Sequence, residues 1–398
     1  MKKGKILLTI FALSMLTLSA LMLFGAYSDN PISSIKDVTS TIKEDVVEYQ
    51  RQLQRDQILG EITEVESLST DRYAYSCLND EEKLAYDQML DAIVNFKKDA
   101  PVTTTDLEVL KKAYEAIKAD YGGLFWFTGY SYVTYFEDDN VTVMAIKVTP
   151  QFTMSEEEKN RKQAEIDGVV DEWLAGSEAL ADDYEKTKFV YELLINNVDY
   201  NAYSMENQNI ISVFLNKSTV CQGYACAAQY LLEKLGVKST IVTGVANDEP
   251  HAWNLVQVNG AYYYMDVTWG NSRYRNGDNE AVKHVGYEYL NITTEDILKT
   301  HTIDQTFELP ECVSNADNYY IRESLYFTDW YPELIGNTIQ ADLMSDKKEA
   351  TIRFASSDLL NRAKSYYLDQ YHVYDYLSGV DHMSYYVTED MNTLTLLR

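Results

Sequence analysis

The sequence predicts an α+β protein: a helix that starts on a cysteine and packs on an antiparallel sheet, a helical N-terminal region, and a small α/β C-terminal domain. Three observations predict it. Apolar residues recur at three- and four-residue spacing in segments between Ile35 and Ile117. The period changes to two on both sides of Asn259-Gly260, a strong short hairpin signal. Residues 318–398 alternate strand and helix patterns. At 398 residues and 46% hydrophobic content, the chain can bury a sizeable core and suggests two or three domains.

The N-terminus bears on compartment. Lys2, Lys3 and Lys5 precede an uncharged run from Ile6 to Phe24, the pattern of a secretory signal or a signal anchor. The run is long for a cleaved signal, and no clean small-x-small site follows it, so an uncleaved anchor with its N-terminus inside is favoured. Either outcome puts the rest of the chain outside the cytoplasm, membrane-anchored or secreted. With 34 Lys+Arg against 62 Asp+Glu, the net charge is −28. Such a surface repels phosphate backbones, which argues against a nucleic-acid partner.

Apolar positions at Ile35, Val38, Ile42, Val46, Tyr49 and Leu53 predict a stalk helix over 30–56. Helices are expected over Glu81–Phe96 and Thr105–Ala119, the second capped by Thr104 or Thr105. Strands follow over Gly129–Glu137 and Val141–Thr149, joined at Asp138-Asp139-Asn140. Ser155-Glu-Glu-Glu158 fits a capping box opening a helix to about Ala175. Helices are predicted over Tyr184–Asn197 and Cys221–Leu235, the latter closed by Gly236, with a short apolar turn at Ile210–Leu215. Val237–Ala246, His251–Val258 and Ala261–Thr268 read as strands, followed by a polar loop at Gly270–Asn279. The last 80 residues read as β-α-β-α-β: Tyr319–Phe327, Glu333–Met344, Glu349–Phe354, Asp358–Tyr371 and Ser384–Leu397. The expected domains are a signal peptide or anchor over 1–26, a stalk over 27–56, a helical and β-hairpin domain over 57–150, a catalytic domain over 151–312 and a C-terminal α/β domain over 313–398.

The chemistry gathers in residues 183–270. Cys221 opens a helix, where free N–H groups and the positive end of the dipole favour a thiolate, the nucleophilic form. Gly223 and Ala225 are small and leave room near the sulfur. His251 lies in Pro250-His-Ala-Trp-Asn254. The two-residue Asn259-Gly260 turn sets Val258 opposite Ala261, which puts Asp266 opposite Trp253 and diagonal to His251, within side-chain reach. A nucleophile, a base and a carboxylate that orients the base then stand in chain order.

The segments Ser218-Thr-Val-Cys-Gln-Gly-Tyr-Ala225, His251-Ala-Trp-Asn254 and Tyr264-Met-Asp-Val-Thr-Trp269 resemble the core of the transglutaminase-like superfamily of papain-like thiol enzymes, over roughly 183–270. Tyr200-Asn-Ala-Tyr203, Tyr287-Glu-Tyr-Leu-Asn291 and His301-Thr302 resemble segments of its bacterial extracytoplasmic members. The resemblance implies a papain-like core with Cys221 as nucleophile, His251 as base and Asp266 as orienter. One departure is local: an acid often follows the Asp-x-Thr-Trp element, and here Gly270-Asn271 stands instead.

These roles predict a thiol acyl-transfer enzyme that attacks a Gln carboxamide or a peptide amide through a Cys thioester. A cysteine peptidase or amidase with the same triad, and a non-catalytic cell-surface binding module, are the alternatives. The backbone N–H of Cys221 is a natural oxyanion donor. Gln222, Tyr200, Trp253 and Trp269 are the candidates for the rest of the oxyanion site or the pocket wall. The expected partner is a protein or cell-envelope peptide substrate, with a membrane bound only through an uncleaved N-terminal segment; the oligomeric state is not readable. Cys and His show no zinc spacing. No cofactor is expected, although Asp278-Asn279 and the many carboxylates could bind Ca2+ weakly. Four cysteines are too few for a disulfide scaffold, and a Cys77–Cys312 pair stays open.

Overall fold

The structure is a computed structural model. It describes residues 31–60, 67, 71–137, 139, 141–271, 285–345, 349–377, 379, 380 and 382–398, with side chains described from residue 40 onward except that of Leu59. The run Ile6–Phe24, the turn residues Asp138 and Asn140, and the loop residues Asp278 and Asn279 lie outside the described residues. Among the described residues no helix is long and apolar enough to cross a membrane.

The chain divides into two units. The first takes residues up to Val65, Lys97–Thr105 and Ser131–Thr149. Helix α1 spans Pro31–Leu59 and starts on a proline, whose missing N–H has no partner to lose at a first turn. Strand β1 (Ala100–Val102) runs antiparallel to the part of β3 in this unit, with Val102 opposite Ile146. Ile58, Met144 and Ala145 bury together here. Strands β2 (Phe127–Phe136) and β3 (Val143–Phe152) each contribute residues to both units.

The second unit holds Glu66–Phe96, Asp106–Tyr130 and Pro150–Arg398. Its helix α2 (Asp80–Val94) starts on a reciprocal capping box between Asn79 and Glu82, which satisfies two otherwise orphaned N–H groups. Helix α3 (Leu107–Asp120) is capped by Asp106, whose carboxylate accepts the Glu108 N–H at 2.8 Å. The cap therefore falls after Thr104 and Thr105, because an aspartate next to the first turn is as strong a cap.

Asp120, at the end of α3, is fully buried. It accepts the N–H groups of Ala74 and Tyr75 at 2.9 and 2.8 Å and the Tyr86 hydroxyl at 3.1 Å. Burial pushes its pKa up to about 6 against those donors. The preceding Ala119 carbonyl accepts Gln229 Nε2 at 2.7 Å and Thr240 Oγ1 at 3.1 Å. This corner ties the early helices to the elements of the candidate site.

Helix α4 (Glu156–Trp173) is capped by Ser155, as the sequence predicts. Helices α5 (Asp183–Asn197) and α6 (Ile210–Phe214) follow. Between them and after them run the short parallel pair β4 (Asp199–Tyr200) and β5 (Ser218–Thr219), with Tyr200 opposite Thr219. Helix α7 (Cys221–Lys234) ends at Gly236, whose φ of 76° turns the chain left-handed and lets Val237 N–H reach the Leu232 carbonyl at 2.9 Å. Four antiparallel strands then form one sheet in the order β8-β7-β6-β9: β6 (Ser239–Ala246), β7 (Glu249–Val258), β8 (Ala261–Met265) and β9 (His301–Ile303). Tyr224, Ala228 and Leu231 of α7 share one buried cluster with Ala252, Val256 and Met265 of the sheet, which is the predicted α+β arrangement.

The β7–β8 hairpin has the predicted register, Val258 opposite Ala261 and Asn254 opposite Met265. The third predicted strand ends early. Val267–Gly270 is a single helical turn, α8, because the Asp266 carboxylate accepts the Trp269 N–H at 3.0 Å and caps it.

In the C-terminal region the predicted strand at Tyr319–Phe327 is mostly a helical turn at Tyr319–Arg322, since the Asn318 side chain caps Tyr320 N–H. Only Tyr326–Phe327 (β10) is strand, parallel to β11 (Glu349–Phe354). Helix α9 spans Pro332–Leu343, and α10 spans Ser357–Ala363. The predicted last strand is a hairpin, β12 (Ser384–Thr388) and β13 (Thr393–Leu397), turned at Asn392 with a φ of 53°. The sheet order is β10-β11-β13-β12.

Candidate active site

Cys221 is the first residue of α7, delivered there by β5. Val220 precedes it in extended conformation and supplies no side-chain cap. The first N–H groups of α7 are therefore not occupied by a capping side chain. The smallness of Gly223 has a different cause from the one its sequence position suggests. A Cβ there would lie 1.9 Å from Thr219 Oγ1 and 3.1 Å from Ser212 Oγ. These two hydroxyls are 2.6 Å apart and buried, so the space belongs to the chain segment that leads into Cys221. Ala225 is buried, and its carbonyl accepts Asn254 Nδ2 at 3.0 Å, locking α7 onto β7.

His251 stands on β7 opposite Gly244 of β6. Its Nε2 lies 2.7 Å from Asp266 Oδ2, across the hairpin as the register predicts. A carboxylate only accepts, so Nε2 carries the proton and donates. Nδ1 is then the other ring nitrogen, and the Cys221 sulfur is near enough to the imidazole to favour its charged form. Burial opposes a charged imidazole here, but the Asp266 carboxylate and the Cys221 sulfur outweigh it and push the His251 pKa up to about 10. Burial likewise opposes charge on Asp266, and the two neighbouring imidazoles hold its carboxyl well below the usual range. By contrast, burial pushes the Cys226 thiol up to about 11.

The other predicted residues are placed as follows. Trp253 is buried and stacks on the His251 ring at 5.8 Å between centroids. Trp269 meets the same ring edge-on at 6.4 Å. Tyr200 is half-buried beside Cys221; burial, with the Cys221 and Glu249 charges, raises its pKa and keeps its hydroxyl protonated. Gln222 is the one whose side chain turns elsewhere: its Nε2 donates to Cys226 Sγ at 3.3 Å, one turn down α7. Gly270-Asn271 is explained by packing. A Cβ at Gly270 would fall 1.8 Å from the Tyr191 hydroxyl, and Asn271 Nδ2 donates to the Tyr224 hydroxyl at 3.0 Å. Cys77 and Cys312 are free thiols.

One residue at the site has no role in the sequence-level reading. His301, on β9, is buried, and its Nε2 lies 3.1 Å from the same Asp266 Oδ2. Turn length fixes the β7–β8 register, but no comparable signal sets β9, which lies 35 residues from Asp266. The donor atoms of His251, Asp266 and His301 all lie within 4.8 Å of one another, a spacing that could hold a metal ion. Both imidazole Nε2 atoms are already hydrogen bonded to one carboxylate oxygen, and a cation between them would have to displace those bonds.

Residues 174–267 match the family model described as the Transglutaminase-like superfamily. No curated protein matches the chain. Among solved structures, the chain is similar to one described as "Crystal structure of a TGase", with 14% identity over 35% of this chain and 43% of that one and a TM-score of 0.26. It is similar to "a Putative Cysteine Protease from Cytophaga hutchinsonii", with 13% identity over 36% of this chain and 65% of that one and a TM-score of 0.24. It is similar to "a putative protease from Parabacteroides distasonis ATCC 8503", with 14% identity over 39% of this chain and 38% of that one and a TM-score of 0.22. The chain spans less than two thirds of each of these proteins.

Proposed function

We propose, from the match of residues 174–267 to the Transglutaminase-like superfamily, that the protein is an extracytoplasmic thiol acyl-transfer enzyme with Cys221 as nucleophile, His251 as base and Asp266 as the residue that orients it. The observation that carries this reading is a buried imidazole held through Nε2 by Asp266 at 2.7 Å, with the Cys221 sulfur near enough to favour its charged form. The extracytoplasmic placement rests on Lys2, Lys3 and Lys5 before the run Ile6–Phe24.

The steps follow from these positions. The reactive form is a Cys221 thiolate beside a His251 imidazolium that Asp266 stabilises. The sulfur attacks the carbonyl carbon of a Gln side chain or a peptide amide, and the C=O pair moves to oxygen. N–H groups of the first turn of α7 are the donors for that oxyanion, and Tyr200, whose strand pairs with the one leading into Cys221, is the candidate side chain to add one. The C–N bond breaks as the imidazolium proton moves to the leaving nitrogen, giving a thioester. An amine then attacks the thioester, His251 takes its proton, and the thiolate leaves with an amide formed. Water in place of the amine gives an acid. Trp253 and Trp269 wall the imidazole and limit water there. The substrate class is a protein or cell-envelope peptide, and residues 57–150 and 318–398 serve as recognition or spacer modules.

The full chain in mild detergent, incubated with casein and a fluorescent primary amine, tests this. Amine incorporation that disappears in Cys221→Ala is the expected result. A one-unit mass gain or new fragments, again dependent on Cys221, would make the enzyme a deamidase or peptidase. Wild type and Cys221→Ala indistinguishable in every channel would favour the binding-module reading.

A further inference from the structure

We propose that His301 is a positioning residue for the reaction, fixing the Asp266 carboxylate through a second N–H donated to the oxygen that holds His251. This inference rests on the acyl-transfer reading of Cys221 and His251.

The hydrogen bonds around the carboxylate support it. Asp266 Oδ1 accepts the Trp269 N–H at 3.0 Å, and Oδ2 accepts from both imidazoles. Among the described residues, Oδ2 without His301 would be held only by His251, the ring it has to orient. A buried carboxylate with one donor on that oxygen can swing about its last torsion, and the imidazole would swing with it.

The His301 tautomer is itself set by neighbours. Its Nδ1 lies 2.8 Å from Thr300 Oγ1, and that hydroxyl lies 3.2 Å from the Tyr289 hydroxyl. With the proton on Nε2 and donated to the carboxylate, Nδ1 accepts from Thr300, and Thr300 accepts from Tyr289. Trp269 and Trp253 close on the His301 ring at 4.8 and 5.0 Å between centroids, and its side chain is fully buried.

The strand that carries His301 is seated with little tolerance. β9 pairs with β6, with Ala246 opposite His301 and Val245 opposite Thr302. A Cβ on Gly244 would lie 1.9 Å from the Thr302 carbonyl oxygen and 2.9 Å from the Trp253 ring. Gly244 thus permits β9 to approach closely enough for the imidazole to reach Asp266. Gly244 also faces His251 on the other neighbouring strand.

The test reads the rate at which iodoacetamide alkylates Cys221 at pH 7, in the full chain, with peptide mapping to assign the label and a thermal melt to check folding. His301→Phe removes the donor and keeps an aromatic ring. His301→Gln keeps an N–H near the Nε2 position. Thr300→Val removes the hydroxyl that sets the tautomer. The expected result is an alkylation rate about tenfold lower in His301→Phe, as for loss of one hydrogen bond to a charged group, with most of the rate recovered in His301→Gln and a smaller loss in Thr300→Val. A folded His301→Phe that reacts like wild type would overturn the proposal, and so would a folded His301→Gln as slow as His301→Phe. Should His301→Phe fail to fold, a Thr300→Val rate equal to wild type overturns it and a reduced rate with an intact melt supports it. A wild-type rate unchanged by His251→Ala would overturn the acyl-transfer reading and this proposal together. A rate lowered by His251→Ala but untouched by the His301 and Thr300 variants would overturn this proposal alone.

Discussion

His251 Nε2 stands 2.7 Å from Asp266 Oδ2, although 15 residues and a hairpin turn separate the two in the chain. The distance is a consequence of register: the Asn259-Gly260 turn sets which residues of β7 and β8 face each other. Asp266 then leaves the ladder to cap α8 and so presents Oδ2 toward the imidazole while Oδ1 stays on the Trp269 N–H.

Asp266→Asn keeps the cap on Trp269 but takes away the charge that stabilises the imidazolium. Amine incorporation is expected to fall by roughly 10²- to 10⁴-fold, and the melt at neutral pH is expected to drop with the loss of the ion pair. Initial rates at saturating amine check this, and a loss of less than about fivefold would contradict the role given to the carboxylate.

Stability should track the His251–Asp266 pair. The folded His251 pKa, about 10, lies above the ordinary 6.5. Its contribution is therefore complete below pH 6.5 and is lost as pH rises toward 10. Asp266 has the opposite sign: its carboxyl is held low, so its contribution is present above about pH 4 and lost in strong acid. Urea midpoints of the wild type are expected to fall between pH 7 and 10, corresponding to a few kcal/mol on the order of magnitude. The slope should flatten in His251→Gln. Parallel curves for the two proteins would contradict the linkage.

Gly223→Ala separates two readings of a small residue near the sulfur. A Cβ that meets Thr219 Oγ1 at 1.9 Å should destabilise the protein by about 1–3 kcal/mol, as overpacking does. Room kept for substrate would instead leave stability unchanged and raise only the KM for the acyl donor. Urea melts alongside KM measurements distinguish the two.

Asp120 gives a prediction far from the sulfur. Asp120→Ala orphans the N–H groups of Ala74 and Tyr75 and the Tyr86 hydroxyl, at a cost of about 2–5 kcal/mol. Tyr86→Phe removes only one of these bonds and should cost about 1 kcal/mol. Equal losses in the two variants would mean that the carboxylate is not the hub.

Local signals carried much of this fold. Ser155 caps α4, Gly236 closes α7, and the hairpin turn sets the facing of β7 and β8, because each acts through neighbours a few residues away. The misread positions are those where a side chain competes with the strand pattern. Asp266 ends a strand by capping α8, and Asn318 turns an apolar run into helix. His301 and Gly223 are a third kind. Their meaning depends on partners brought in by the fold, β9 beside β6 and Thr219 beside Ser212, and no periodicity reports such contacts.

The most direct measurement is mass-resolved alkylation of the full chain with a limiting thiol electrophile from pH 5 to 9, in wild type and in His251→Ala. Cys221 is expected to be labelled well ahead of Cys226 at pH 7, and His251→Ala to slow the Cys221 labelling and narrow the difference. Cys221 and Cys226 labelled at the same rate in the wild type would contradict the account.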